Sequence, residues 1–488
     1  MIIHFDPILI ASIMLPLVAA AIAAVSSRRV ALYSGVILFM PLIAYSLYGI
    51  IENFNYLVPL FKMPKPIGTL YFIADGLSNA FGFTIAIVTA MIAVFSDPYM
   101  EHRFRVLGLG DEFRIYYPLF LLCGASMEWI VYGYNLLLIY IGLEVSLISS
   151  FLLIYFYGYD GYGKTRRWIG VVYFVYTHIA SLLFLIGAFI IAFYNNTMDL
   201  YTVKYIPLIA WILILIGMLI KLPSFGPHVW LPWAHGQAPP PVAALIISIV
   251  GLAAYILARL YLISPYFIDS IRTPLLAYAI FGGLLVSLAT FKQRHNYKWV
   301  LAYSTIANMA YLLAGLTLGT YGIIGLTLHY IAHELGKATL FMTAGGIIVE
   351  YEVLEIDRMG GLQTYIPSIG GAALLGWMSL TGMFTVGLLG EFFILLGFWQ
   401  TFGLNIHTLW AFIGLVTLFI FTGAYGFWAL KEIFYGQPRW PYTKVKVNPK
   451  LVVPLYVLGL ISVVLLFPPL STSLIHSVYS AIEVIIHG

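Results

Sequence analysis

The chain has 488 residues, 62% of them hydrophobic and 9% charged, whereas a soluble domain carries roughly 45–50% apolar and about 25% charged residues. That composition excludes a soluble enzyme and a disordered protein. Uninterrupted apolar runs of about 20 residues also exclude an outer-membrane barrel, whose strands alternate polar and apolar. What remains is an all-α polytopic membrane protein, with 24 Lys+Arg and 20 Asp+Glu to be placed one at a time.

Apolar runs bounded by charged, proline or glycine-rich breaks predict about fourteen transmembrane helices, over 7–25, 30–51, 72–95, 115–132, 134–157, 168–193, 205–222, 240–262, 273–291, 299–319, 322–349, 368–399, 407–431 and 451–470. Residues 1–27 lack a basic start before their apolar run, so they read as the first membrane helix and not as a cleaved signal. The eleventh and twelfth runs exceed one span, which predicts tilt or interruption. The segment 471–487 is amphipathic enough for a short terminal helix. The single cysteine, Cys123, cannot build an iron–sulfur cluster, a redox pair or a disulfide, and reads as a small buried residue.

Basic residues cluster in the loops after odd-numbered spans: Arg28 and Arg29, Arg103 to Arg114, Lys164 to Arg167, Lys292 to Lys298, Arg358, and Lys431 to Lys450. Only Lys62, Lys65, Lys204 and Arg272 lie in the loops after even-numbered ones. By the positive-inside rule the odd loops face the cytoplasm and both termini face outside, across a prokaryotic plasma membrane. The bases are scattered among loops, so the net charge of +4 is not a nucleic-acid signal.

Three bases are left inside spans: Lys221, Arg259 and Lys337. Glu144, Glu334 and Glu391 are similarly placed, as are His178, His329 and His333, while Asp75 and Glu128 lie nearer helix ends and are weaker candidates. An ionisable group at the bilayer centre costs about 2.5 kcal/mol or more, so it faces the protein interior and reads as functional. Glu144 sits mid-helix with no charge nearby in sequence; it requires a partner on another helix, or is a buried glutamate that only hydrogen-bonds. Lys221 ends an apolar run and is followed by Pro223, Pro227, Pro232 and Pro239 to Pro241. Such a run cannot stay helical, and freed backbone groups at membrane depth are tolerated only around a polar cavity. Lys221 there either carries a proton or snorkels from a helix end.

His329, His333 and Lys337 are spaced i, i+4, i+8 and share one side of one helix. That row reads as a proton relay, with structural hydrogen bonding and a metal site as competing readings. The metal reading lacks the glutamate of an HExxH motif. Glu334 points to a different face, toward another helix. Glu391 follows a second weak point, where Gly382, Gly387 and Gly390 interrupt the twelfth run. Lys221 and Glu391 thus sit on two broken helices five spans apart, the pattern of two inverted five-helix repeats with discontinuous seventh and twelfth helices. The expected divisions are 1–110, a three-helix segment; 111–265 and 266–432, the two repeats; and 433–488, the fourteenth helix with the terminal segment.

Four stretches resemble the antiporter-like subunits of respiratory complex I, a family shared with multi-subunit sodium/proton antiporters and membrane-bound hydrogenases. KLPSFGPHVWLPWAHGQAPPPVAAL (221–245) looks like the family's K-x-P-x-x-P-x-H-x-W-L-P-D-A-H-x-x-A-P segment. HYIAHELGKATLFMTAG (329–345) is similar to its H-x-x-x-H-x-x-x-K-A-x-L-F-x-x-A-G. NYKWVLAYSTIANMAY (296–311) and NLLLIYIGLEVSLISSFLL (135–153) are similar to its tenth- and fifth-helix segments. The resemblance implies that Glu144 partners Lys221, that Lys221 carries a proton on broken helix 7, that His329, His333 and Lys337 extend a central polar axis, and that Glu391 ends it on broken helix 12. A glutamate at that last position resembles the middle antiporter-like subunit of complex I. His228, His235, Arg259 and Lys298 are accessory candidates.

The resemblance further implies no cofactor or metal in this subunit, no catalysis by the subunit alone, and no nucleic acid. It implies partnership with other membrane subunits, including further antiporter-like ones, within the lipid bilayer. The translocated ion is then a proton, with sodium as the alternative. The long lateral helix of the largest family member is expected to be absent. The sequence departs from the family at four points. Gly251 stands where the helix-8 lysine is expected, leaving His235, Arg259 or water to bridge the gap. Trp233 replaces an aspartate, Asn308 replaces a histidine, and the prolines before Glu391 are missing. The expected function is a proton-translocating subunit of a redox-driven pump of the quinone oxidoreductase or hydrogenase kind. A subunit of a redox-free sodium/proton antiporter and a non-conducting coupling scaffold are the rivals.

Overall fold

A computed structural model describes residues 2–487. Its helices, in chain order, are α1 (Pro7–Val25), α2 (Arg28–Ile37), α3 (Met40–Glu52), α4 (Gly76–Val106), α5 (Phe113–Tyr132), α6 (Leu136–Tyr157), α7 (Arg166–Asn195), α8 (Leu208–Lys221), α9 (Leu231–Gln237) and α10 (Pro240–Ile263). They continue as α11 (Tyr266–Ser270), α12 (Arg272–Thr290), α13 (Tyr297–Leu316), α14 (Gly319–Tyr351), α15 (Leu362–Tyr365), α16 (Pro367–Leu380), α17 (Val386–Phe402), α18 (Leu409–Phe434), α19 (Pro449–Val464) and α20 (Leu470–His487). Among the described residues ten helical segments are long and apolar enough to cross a membrane, with α8, α17 and α19 as shorter apolar helices. The chain is therefore a predominantly helical, membrane-embedded protein.

Local chemistry fixes the ends. Asp6 caps α1 by accepting from the amides of Ile8 and Leu9, and Asn135 caps α6 by accepting from Leu137. Asn296 caps α13 in the same way, accepting from Lys298. Short polar side chains at these positions satisfy amides that the first turn leaves unpaired.

Two expected spans, the third and the second, differ from the fold, while the expected interruption of the twelfth is present. The run expected as a helix over 72–95 starts as a strand: β2 (Tyr56–Lys62) pairs antiparallel with β3 (Thr69–Ala74), in register Tyr56 to Ala74, and β1 (Ile2–Ile3) adds to β2 in parallel. The aromatic and β-branched Tyr71, Phe72 and Ile73 suit a strand, and Asp75 then starts α4 with a capping box to Ser78. The second run, 30–51, is divided at Leu38 and Phe39, ahead of Pro41. The twelfth, 368–399, is broken between α16 and α17, where Gly382 and Phe384 take positive φ of 65° and 52°. The eleventh is not broken at all. α14 runs for 33 residues, about 50 Å at 1.5 Å per residue, longer than the roughly 20 residues one span needs.

The core is built around α14 and α10. Every residue from Gly322 to Ile348 is buried, and so is every residue from Pro240 to Leu262. Helices at the periphery show lipid-ready faces instead, such as the exposed Ile179, Ile186, Phe189 and Phe193 of α7. α14 packs on α4, α10, α13, α16, α17 and α19. Its approach to α17 depends on small residues. A Cβ on Gly390 would lie 2.8 Å from the His329 amide nitrogen. Gly390→Leu is expected to push α17 off α14 and cost about 1–3 kcal/mol, the usual penalty of overpacking. Thermal unfolding in detergent checks this, with Gly423→Ala, which meets nothing within 4 Å, as the unaffected control.

Candidate functional site

α8 stops at Lys221 because Leu222 and Pro223 leave the helix, and the chain stays unwound to Gly226, which takes a φ of 101°. Trp230 clasps the break by donating its indole N–H to the Ile220 carbonyl at 2.9 Å. Lys221 is buried at 2% exposure, and among the described residues no carboxylate lies within ion-pair distance of it. His228 turns back on the unwound segment, accepting from the Gly226 amide at 3.0 Å and stacking on Phe225. It staples the break and is not part of the polar row described below.

The direct Glu144–Lys221 partnership implied by the family resemblance is not formed. Glu144 instead meets His178 of α7, Oε2 to Nδ1 at 3.0 Å, and His178 stacks on Phe174. α7 packs against both α6 and α8 and presents His178 to the Glu144 carboxylate. Lys221 remains within electrostatic reach of Glu144.

Beyond the break, α9 delivers His235 to the interior, fully buried beside Phe341, with neither ring nitrogen bonded within the chain. It stands within electrostatic reach of Lys298, Lys337 and His333. Lys298 donates to the Ala238 carbonyl at 2.9 Å and covers the Tyr159 ring. Lys337 donates to the Leu301 carbonyl at 2.9 Å and to the Ser304 hydroxyl, and lies over Trp377. One turn away on α14, His333 has both ring nitrogens free of chain partners, and its ring centroid is 6.5 Å from that of His329.

His329 then bonds Asn308, Nε2 to Oδ1 at 3.1 Å, and Asn308 donates to the Tyr425 hydroxyl at 2.9 Å. The Tyr311 ring packs 4.4 Å from His329, and its hydroxyl bonds Thr422 at 2.6 Å. Both tyrosines stand within electrostatic reach of Glu391. Glu391 folds back onto the α16–α17 break: a Cβ on Gly382 would lie 2.9 Å from its Oε2. The structure thus brings together Lys298, His235, Lys337, His333, His329 and Glu391, and leaves Lys221 one step apart at the α8–α9 break.

Arg259 does not join this row or bridge its gap. It makes a bidentate pair with Asp75, at 2.5 and 2.6 Å, with both side chains buried, and its Nε donates to the Tyr255 hydroxyl at 2.9 Å. Since Asp75 also caps α4, this pair ties α4 to α10. Gly251 faces away from the row as well. A Cβ there would sit 2.3 Å from Cε2 of Tyr330, so the Tyr330 ring occupies the space that a lysine at this position would need.

Sequence reasoning missed His178 as a partner of Glu144, and it missed Tyr311, Tyr425 and Ser304. A signal was available for part of this set. Ser304, Asn308 and Tyr311 are spaced i, i+4, i+7 and so form a polar stripe on one face of an otherwise apolar helix.

The family model described as NADH:quinone oxidoreductase/Mrp antiporter, TM matches residues 133–430. An NAD(P)H-quinone oxidoreductase chain 4 of Trichodesmium erythraeum is 30% identical over 396 residues, covering 77% of this chain and 67% of its own length. That of Gloeobacter violaceus is 27% identical over 509 residues, covering 96% of this chain and 91% of its own. Among solved structures, a chain of respiratory complex I from Thermus thermophilus superposes with a TM-score of 0.83 at 22% identity, covering 98% of this chain and 100% of that one. A chain of the Mrp complex from Dietzia sp. superposes with a TM-score of 0.81 at 19% identity, covering 98% and 97%.

Proposed function

The chain belongs to the NADH:quinone oxidoreductase/Mrp antiporter family, and from that premise we propose that it is the antiporter-like, proton-translocating membrane subunit of a redox-driven pump built like complex I. The observation that carries this reading is the row of buried polar groups from Lys298 through His235, Lys337, His333, His329, Asn308 and Tyr425 to Glu391. Buried ionisable groups in a bilayer are costly and mark ion pathways, and imidazoles interleaved with amines suit proton transfer near neutral pH.

In this reading the fourteen spans are α1, α2 with α3, α4, α5, α6, α7, α8 with α9, α10, α12, α13, α14, α16 with α17, α18 and α19. The inverted repeats are 111–265 and 266–432, flanked by 1–110 and 433–488. Two features support them: the α8–α9 break at Lys221 and the α16–α17 break before Glu391 occupy corresponding places in the two units. Both termini face outside a prokaryotic plasma membrane, as the loop charges require. Other membrane subunits, further antiporter-like ones among them, flank this chain, and neither cofactor nor metal is assigned to it.

The switch is Glu144. Paired with His178 it leaves Lys221 buried without a counter-ion, an arrangement that is costly; swinging toward Lys221 it relieves that cost. Electron transfer in a neighbouring subunit biases this two-position carboxylate, and water in the unwound Leu222–Gly226 segment links Lys221 to His235. Protons enter from the cytoplasmic side near Lys298 and leave toward the outside beyond Glu391. The named curated relatives are chain 4 of NAD(P)H-quinone oxidoreductases, which favours this reading over a redox-free sodium/proton antiporter. The continuity of the row past His329 favours it over a non-conducting scaffold.

The test is Glu144→Gln in the assembled complex, within sealed vesicles. Acidification driven by electron transfer is expected to fall to background with assembly intact; a normal proton gradient would remove the switch. A milder effect is expected at Asn308. Asn308→Leu removes its hydrogen bonds to His329 and to Tyr425, about 1 kcal/mol apiece, and should slow vesicle acidification about thirtyfold.

A further inference from the structure

A second buried polar group lies on another face of α14 from the row. Tyr330 and Glu334 each follow a histidine of the row by one residue, so they are rotated about 100° from it and look toward α10 and α5. Glu334 and Glu128 of α5 are both fully buried. Glu334 accepts from the Ser248 hydroxyl at 2.6 Å through Oε1, while its Oε2 and both oxygens of Glu128 have no partner among the described residues. Tyr330 stands within electrostatic reach of both carboxyl groups. Its ring is fixed between Phe81, stacked at 4.0 Å, and the bare backbone of Gly251, and its fully buried hydroxyl makes no well-formed hydrogen bond among the described residues, with the Ser248 hydroxyl as its near neighbour.

We propose that Glu128, Tyr330 and Glu334 form a second proton-binding site, in which the two carboxyl groups take up and release protons and the phenol passes a proton between them. A buried carboxyl group with neither a cation nor a full set of donors is tolerated in an apolar interior as a proton carrier far more cheaply than as a fixed charge. A cation site is the poorer fit. Among the described residues no group of three or more His, Cys, Asp or Glu converges to hold a metal ion. No two of the three acidic groups are within hydrogen-bond distance, so a water or a carboxyl rotation closes each step. The O–H bond on one carboxyl breaks as a new one forms on Tyr330 Oη, and the phenol's own proton moves on to the other carboxyl. The phenol begins and ends neutral, and no oxidant is needed.

The neighbouring titratable groups do not complete an ion pair here. Tyr132 of α5 lies next to Glu128 and bonds Ser46 at 2.8 Å and Asn79 at 3.2 Å. Tyr255 of α10 is held by Arg259 and the Val131 carbonyl, and Arg259 is already closed with Asp75. Lys337 and His333 face α13 and α9 from the other side of α14. The site therefore runs from the middle of α14 to the last turns of α5 as a branch of its own.

The proposal shares with the preceding section the premise that the chain handles protons, and its test reads protonation directly. The pH-dependent carboxylic C=O infrared signal of the intact assembly is compared among wild type, Glu128→Gln, Glu334→Gln and the double variant. Each single variant is expected to lose one component and the double variant both. Tyr330→Phe should keep both but exchange with D2O several-fold more slowly. Lys337→Met should leave both components unchanged even if translocation stops, which separates this site from the row. Spectra of the glutamine variants that superpose on wild type at every pH would overturn the proposal. So would loss of the signal on adding sodium at fixed pH, which would make it a cation site.

Discussion

Replacing Lys337 by Met is expected to abolish proton translocation while leaving the fold as stable as before, or more so. Lys337 is fully buried and has no carboxylate partner; its contacts are the Leu301 carbonyl, the Ser304 hydroxyl and the face of Trp377. An apolar residue of similar volume removes a desolvated charge from the interior, which is often neutral or stabilising. It also removes the amine that is within electrostatic reach of both His235 and His333. Loss of a positioned proton carrier slows transfer by about a hundredfold or more. Acidification of vesicles holding the complex is the first readout and thermal unfolding the second. A merely structural lysine would give the reverse pattern, with lowered stability and near-normal translocation.

Asp75→Asn should act in the opposite sense, destabilising the fold without entering the proton row. It leaves the Arg259 guanidinium buried at 2% exposure with its bidentate partner gone. Breaking one side of a buried pair typically costs about 3–5 kcal/mol. The cap of α4 is kept, because asparagine accepts from the Ser78 amide as Asp75 does at 2.8 Å, so the loss reports the ion pair. Combining it with Arg259→Met should recover part of the loss, since the stranded charge is then gone as well. The midpoint of thermal unfolding in detergent measures both variants.

These two residues mark where the sequence was legible. The apolar runs located the helices because lipid demands internally bonded backbone over about 20 residues, and α1 has the expected bounds, Pro7–Val25. The prolines after Lys221 located the α8–α9 break for an equally local reason. The i, i+4, i+8 spacing placed His329, His333 and Lys337 on one face because helix geometry alone decides it. Partnership across helices was not legible. Nothing in one sequence said that α7 would present His178 to Glu144, or that Arg259 would close on Asp75, 184 positions away. Strand β3 was hidden by a different cause. Its short apolar run carries the same hydropathy as the helix that follows, and only its pairing with β2 separates the two.

In the proposed reading, protons driven by electron transfer elsewhere in the complex pass along the row of buried polar groups that ends at Glu391. The most direct measurement is the number of protons released per electron pair by the intact complex in sealed vesicles, with and without Glu391→Gln. Glu391 ends the row at a helix break, and its Oε1 has no partner in the chain, so the isosteric amide disturbs packing little. A lower proton-to-electron ratio at unchanged electron-transfer rate and unchanged assembly is the predicted result; an unchanged ratio would contradict it.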